Sequence, residues 1–488
     1  MPHSPAMRPA SLPRTRSLAV VAAVGIGALV LSACSSAPAV PKQRDLSTDV
    51  SFTACTPQTC KGSLDGAAYT IEMPRKWNGT LLIYSHGYRN AQPAPPTFEP
   101  VDTTAVDASD VTTATQLLSQ GFALAGSAYK SNGWAVSDGV AAAEGLYAHF
   151  SDVIAQPNRT LVWGDSLGGL ITQVVAEKHP EWVDGAAPLC GALAGVVPNM
   201  NLSLDISYAV KTLVYPQMKI TGYTSYQEAV DNWTEAMKRV IAAASDTAGG
   251  GTAKVLYMAD LVDVPIQTKT YDGSTIESKV KATVEAIATG LGYATFARYD
   301  LEQRFGGNPS GNVDTDYSKR INDTEAALIN AVTPGAVEAN DALMAAGQRV
   351  AADPAALAKA LADGGDPQGT ITRPEITMHT AADPLVIAQN ETFLRDRYTA
   401  EVAKGNATAG LVQLYTVAPA TYPENPGAPY GAGHCNFTPQ SNVAVIDLLN
   451  DWVQKGIYPG DAAIETAMGT ASGYVAAWRP GPWPGTNA

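Results

Sequence analysis

The stretch "GDSLGG", residues 164–169, sets one hydroxyl among small residues, where the β-rich run "TLVWG" gives way to the helical pattern "LGGLITQVVAEKHP". A serine at the tip of a sharp strand-to-helix turn has a strained backbone and tolerates only small neighbours, which Gly164, Gly168 and Gly169 supply. The start of the helix directs unpaired N–H groups and a partial positive charge to the same place. That suits the negative charge that grows on a carbonyl oxygen under attack, so the chemistry Ser166 could do is nucleophilic acyl transfer. In a chain with 43 glycines the pattern alone is weak, and a Gly-rich loop with a capping serine is the plain alternative. The rest of the chain has to decide.

A serine hydroxyl is a poor nucleophile until a base takes its proton. Of the six histidines, His3 lies in the leader, His149 and His179 lie in helical stretches, His379 lies inside a strand candidate and His86 directly precedes Gly87. His434, in "YGAGHCNF", is the one in a loop after the last strand candidate, the place that the order serine, acid, histidine requires. The third member must accept the imidazole N–H. Asp383, in "AADPLV", follows a strand candidate directly and precedes a helix, where its ordinary role would be capping. Asp396 lies between two arginines inside that helix and reads as solvated charge, and Glu424, in the histidine's own loop, is the reserve. "SHGY", residues 85–88, supplies a turn after an early strand where a backbone N–H can face the site, with His86 organising the turn.

The elements that must position these groups follow from periodicity. Strand candidates at 66–74, 79–88, 121–129, 160–164, 183–191, 375–381 and 410–418 alternate with helical stretches at 141–155, 167–180, 384–405 and 442–456. Such alternation implies an α/β fold, a mostly parallel central sheet flanked by helices on both faces. From about residue 192 to 374 the alternation stops, and pieces such as "YQEAVDNWTEAMKRVIAAA" and "PAALAKALADG" look helical. So long a segment cannot be one structureless loop, and a mainly helical insertion over the sheet is expected. The expected organisation is a leader over 1–33, a Ser/Pro-rich tether and loop over 34–62, core over 63–191, insertion over 192–374, core over 375–457 and a tail over 458–488.

Composition narrows the partners. A 488-residue chain that is 45% hydrophobic and 16% charged is globular and can bury a large core. Its formal net charge of −14 repels phosphate backbones and argues against nucleic acid as a partner. Arg8, Arg14 and Arg16 precede "LAVVAAVGIGALVL", too short for a comfortable membrane span but suited to a signal peptide. The "LSAC" that follows resembles the bacterial lipobox, which implies cleavage before Cys34 and its lipidation; an ordinary secretory signal is the alternative. The chain is then an exported cell-envelope lipoprotein, held to the outer face of the membrane by its lipid anchor only, or a secreted protein. Cys55, Cys60, Cys190 and Cys435 remain, an even number in a compartment that permits disulfides. Cys55 and Cys60 can close a small loop, which leaves Cys190 for Cys435; free buried thiols are the alternative. No cysteine and histidine cluster has metal-ligand spacing, so neither a metal nor an organic cofactor is expected.

Taken together, "GDSLGG", "SHGY", "AADPLV" and "GHCNF" resemble the α/β-hydrolase superfamily over roughly residues 66–191 and 375–457. The resemblance implies the α/β-hydrolase fold with the insertion as its cap, and a triad of Ser166, His434 and Asp383. In esterases with a His-Gly-x turn the oxyanion donor is commonly the residue after the glycine, here Tyr88, paired with the residue after the nucleophile, here Leu167. The implied reaction is hydrolysis of a carboxylic ester, small or polymeric, through an acyl-enzyme, and the Ala-rich insertion suggests an apolar or aromatic one. A secreted aminopeptidase-like serine peptidase and a non-catalytic binding lipoprotein are the competing readings. In tannase-like feruloyl esterases a cysteine beside the serine bonds to one beside the histidine; here Cys435 follows His434 but Asp165 precedes Ser166, so Cys190 would supply the clamp from another position.

Overall fold

A computed structural model of the protein describes residues 59–422 and 429–486. The apolar runs pair into one eight-stranded sheet, ordered β1 (Thr59–Leu64), β2 (Ala67–Glu72), β4 (Ala123–Ser127), β3 (Thr80–Ser85), β5 (Arg159–Asp165), β6 (Gly185–Leu189), β7 (Glu375–Thr380) and β8 (Leu411–Thr416). The β1–β2 and β2–β4 pairs are antiparallel, and every pair from β4–β3 to β7–β8 is parallel. Side chains alternate across a strand, so a sheet covered twice needs apolar residues at consecutive positions. β3 shows this: Leu81 and Ile83 enter one core, and Leu82 and Tyr84 the other. Helices Val136–His149 and Leu167–Lys178 close the first face, and Val111–Ser119 and Pro439–Lys455 close the second. This is the α/β-hydrolase fold.

Between β6 and β7 the chain runs through eight α-helices, from Val196–Leu213 to Pro354–Asp363, with no strand. Six of them share an apolar core of their own that includes Ile206, Val240, Leu256, Tyr257 and Ile287, while the helices Phe296–Phe305 and Pro354–Asp363 bury Leu301, Phe305, Ala356 and Ala360 in the core on the first sheet face. The helix Tyr226–Ala244 shows how the sequence builds it. Ser225 accepts from the Glu228 N–H at the N-terminus, and Ala229, Val230, Ala236, Met237 and Val240 are buried at helical spacing.

Two further segments take a definite place in the fold. β1 begins at Thr59, within the stretch read as tether, and pairs as an edge strand with β2. The tail from residue 458 also packs: it forms the helix Asp461–Met468, Tyr474 bridges to Thr416, and the Trp478 and Trp483 rings meet Tyr415 and Phe393 at 5.1 and 5.4 Å. Among the described residues no helix is long and apolar enough to cross a membrane.

Candidate active site

β5 ends at Asp165, and the helix Leu167–Lys178 starts two residues later. Ser166 spans that gap at φ 62°, ψ −122°, a conformation an L side chain rarely adopts, fixed by its N–H donating to the Leu189 carbonyl at 2.9 Å. Its hydroxyl makes no capping bond to the helix. The small neighbours are a steric necessity, because a Cβ on Gly164 or Gly168 would run into the Ser85 carbonyl oxygen.

Asp383 and His434 arrive on two loops that pair with each other. After β7, Ala382 bridges to Ala432, the Gly433 N–H donates to the Ala382 carbonyl at 2.8 Å, and Thr380 Oγ1 donates to the Gly433 carbonyl at 2.9 Å. Gly433 has φ 91°, and a side chain there would strike Lys269 of the insertion. This pairing sets Asp383 beside His434. Asp383 Oδ2 lies 2.7 Å from His434 Nδ1, and Asp383 Oδ1 accepts from the Leu385 and Val386 N–H groups at 2.9 and 3.0 Å. A carboxylate only accepts, so Nδ1 carries the hydrogen and Nε2 of the neutral ring is left as an acceptor. Nε2 lies 2.7 Å from Ser166 Oγ. Burial alone would raise the Asp383 carboxyl, but His434, His379 and the backbone N–H groups outweigh it and hold the group below its usual range.

The remaining candidates fall around this line of three. Tyr88 and Leu167 both face the cleft at Ser166, and neither backbone N–H has a protein acceptor among the described residues. Gly87 sits against Ser166: a Cβ there would lie 3.1 Å from the serine Cβ. His86 donates from Nδ1 to the Gly87 carbonyl at 2.7 Å and stacks on Tyr129 at 3.9 Å, and burial and then Arg89 push its pKa to about 4, so it holds the turn as a neutral ring. Cys190 and Cys435 are bonded, with Cα atoms 5.5 Å apart across 245 residues of sequence, and Cys435 Sγ lies 3.4 Å from His434 Nε2. Cys60 is also disulfide-bonded. Asp396 is an exposed surface residue beside Arg395. Cys34, Cys55 and Glu424 lie outside the described residues.

The insertion completes the site. A cleft opens at Ser166, walled by Met200, Ile206, Val262, Ile287 and Tyr293 of the insertion and by Leu385 and Val386 of the loop that carries Asp383. None of the described residues that line it is charged. The Ser203 hydroxyl is buried there without a partner. Sequence reasoning missed these walls, since apolar residues on helices carry no motif. It also read Asp165 only as the residue before the serine. Burial lifts that carboxyl to about 6, while the Tyr84 hydroxyl at 2.9 Å and His434 hold it down.

No protein-family model matches the chain, and no curated protein matches it. Solved structures similar to it include feruloyl esterase B from Aspergillus oryzae, at 16% identity and TM-score 0.36 over 82% of this chain and 80% of that one. Proline iminopeptidase from Mycobacterium smegmatis aligns at 12% identity and TM-score 0.34 over 82% of this chain and 100% of that one. A haloalkane dehalogenase loop variant from Bradyrhizobium elkanii aligns at 13% identity and TM-score 0.32 over 84% and 97%. At these scores the likeness says nothing of activity.

Proposed function

We propose that the protein is a serine hydrolase that cleaves carboxylic esters with an uncharged, apolar or aromatic acyl group. The observation that carries this is the unbroken hydrogen-bond line from Ser166 Oγ through His434 to Asp383, at 2.7 Å in each step, at the mouth of an apolar cleft. His434 takes the serine proton as Oγ bonds to the ester carbonyl carbon. The Tyr88 and Leu167 N–H groups receive the oxyanion, and loss of one such donor costs roughly a hundred- to a thousandfold in rate. As the C–O bond to the leaving alcohol breaks, His434 returns the proton to it. Water, deprotonated by the same ring, then adds to the acyl-enzyme and releases the acid and Ser166.

The lining disfavours a peptidase that reads a free amino terminus, since none of the described residues that line the cleft offers a carboxylate to an ammonium group. The test is a series of nitrophenyl esters of rising acyl length beside aminoacyl-nitroanilides. Turnover of the esters, strongest for apolar acyl groups, supports the reading; cleavage of the anilides alone sinks it. We also propose that the chain is exported and anchored through lipid on Cys34. The Cys190–Cys435 bond and the bonded Cys60 fit an oxidising compartment. Cys34→Ser should move the protein from the membrane to the soluble fraction, and an unchanged partition would contradict the anchor.

A further inference from the structure

The Asp383 carboxylate meets a second imidazole that the proposed reaction does not use. His379, on β7, is fully buried, and its Nε2 lies 3.6 Å from Asp383 Oδ2, the oxygen bonded to His434. The same Nε2 is 2.8 Å from the Val386 carbonyl, which only accepts, so Nε2 carries a hydrogen. Nδ1 faces Glu391 Oε1 at 3.3 Å. Glu391 is itself fully buried, and its other oxygen receives the Thr377 hydroxyl and, at 2.7 Å, the Gln413 amide, both donors. Two donors on Oε2 favour the ionised form of this carboxyl, and a carboxylate opposite Nδ1 is met by a hydrogen there as well. Both ring nitrogens are then protonated.

The other groups around this pair do not supply the charge. Tyr415 stands opposite His379 in register on β8, and Glu375 begins β7; burial lifts both acids above their usual values, which favours their neutral forms. Arg395 and Arg479 act on Tyr415. Burial by itself would strip the proton from His379, but Glu391 and then Asp383 outweigh it and raise its pKa. The arrangement is therefore carboxylate, imidazolium, carboxylate, with the second carboxylate on His434.

We propose that His379 is a buried imidazolium, neutralised by Glu391, that acts as a positioning residue by keeping Asp383 ionised and its Oδ2 turned to His434. This rests on the Ser166–His434–Asp383 reading above. A cation beside the acid makes proton uptake by the Asp383–His434 pair harder, so the acid limb of activity lies at lower pH than the pair alone would give. Removing it should move that limb up by about one pH unit, the low end of what a neighbouring charge does.

Two variants test this in the full chain. His379→Gln deletes the cation, and Glu391→Gln deletes its counter-ion without changing shape, so the ring loses its proton; the second serves if the first does not fold. The acid limb of kcat/KM should shift upward in both, and limbs that coincide with that of the unaltered protein overturn the proposal. Nitrogen NMR of the histidine rings in Ser166→Ala reads His379 without any activity. Both of its nitrogens should be protonated from about pH 5 to pH 8, and a bare nitrogen at neutral pH overturns the proposal independently. Turnover surviving in Ser166→Ala would sink the nucleophile reading instead and leave the NMR result standing.

Discussion

The C-terminal edge of the sheet, where β5 and β7 end, and the helical insertion both face the cleft, yet they are built on opposite principles. At the sheet edge a few positions are over-determined: Ser166 at φ 62°, glycines that admit no Cβ, and two hydrogen bonds of 2.7 Å. The insertion contributes Met200, Ile206, Val262 and Ile287, apolar side chains among which no single one is required by backbone geometry. On the proposed function, reactivity is concentrated in positions that cannot change, while the fit to a substrate is spread over a surface that can be re-cut. Substitutions should abolish turnover on one side and re-tune it on the other.

The largest effects belong to the sheet edge. His434→Ala should lower kcat/KM for a cleaved ester by about 10⁴-fold or more, and Asp383→Asn by about 10⁴-fold, because a misplaced tautomer disables the base. A loss under tenfold in either would erase the contrast between the two regions. Next comes the clamp on the histidine loop. Replacing Cys190 and Cys435 together with serine should cost about 2–4 kcal/mol of stability in urea unfolding and slow turnover by loosening His434, which adjoins Cys435. An unchanged midpoint and rate would show that the bond holds nothing in place.

Within the insertion, Ile287→Ala should change the preference between short and long acyl groups by about tenfold while leaving the reactivity of Ser166 toward a small probe within a few fold. If it disabled Ser166 as thoroughly as His434→Ala, the division of labour would be wrong. The smallest effect is at Asp165, whose pKa in the fold, about 6, lies above its usual 3.8. A carboxyl raised on folding binds more protons in the native state, so stability falls as pH rises from about 4 to about 6. Asp165→Asn should remove that fall and stabilise the protein by about 1–2 kcal/mol at pH 7.5, with no gain at pH 4. Equal melting shifts at both pH values would exclude a titrating Asp165.

What the sequence revealed follows the same division. The strand runs, the serine turn and the histidine loop were legible because close packing and strain leave few residue choices, as at Gly168 and Gly433. The helix Val111–Ser119 was not, since "VTTATQLLS" is rich in β-branched residues and relies on the Asp110 side chain capping the Thr113 N–H. β1 was missed because "TCKGSL" has a single buried residue, Cys60, and no alternation to detect. His379 was visible only as a histidine inside a strand. Its role depends on Glu391, twelve residues on and brought back by the helix Gln389–Lys404, a contact no local pattern encodes.

The most direct test of the central claim is mass labelling of the purified full chain with a fluorophosphonate, alone and as Ser166→Ala and His434→Ala. One probe per chain is expected, located on Ser166, absent in the serine variant and strongly slowed in the histidine variant. A well-folded protein that takes up no probe, or carries it on another residue, would contradict an activated Ser166.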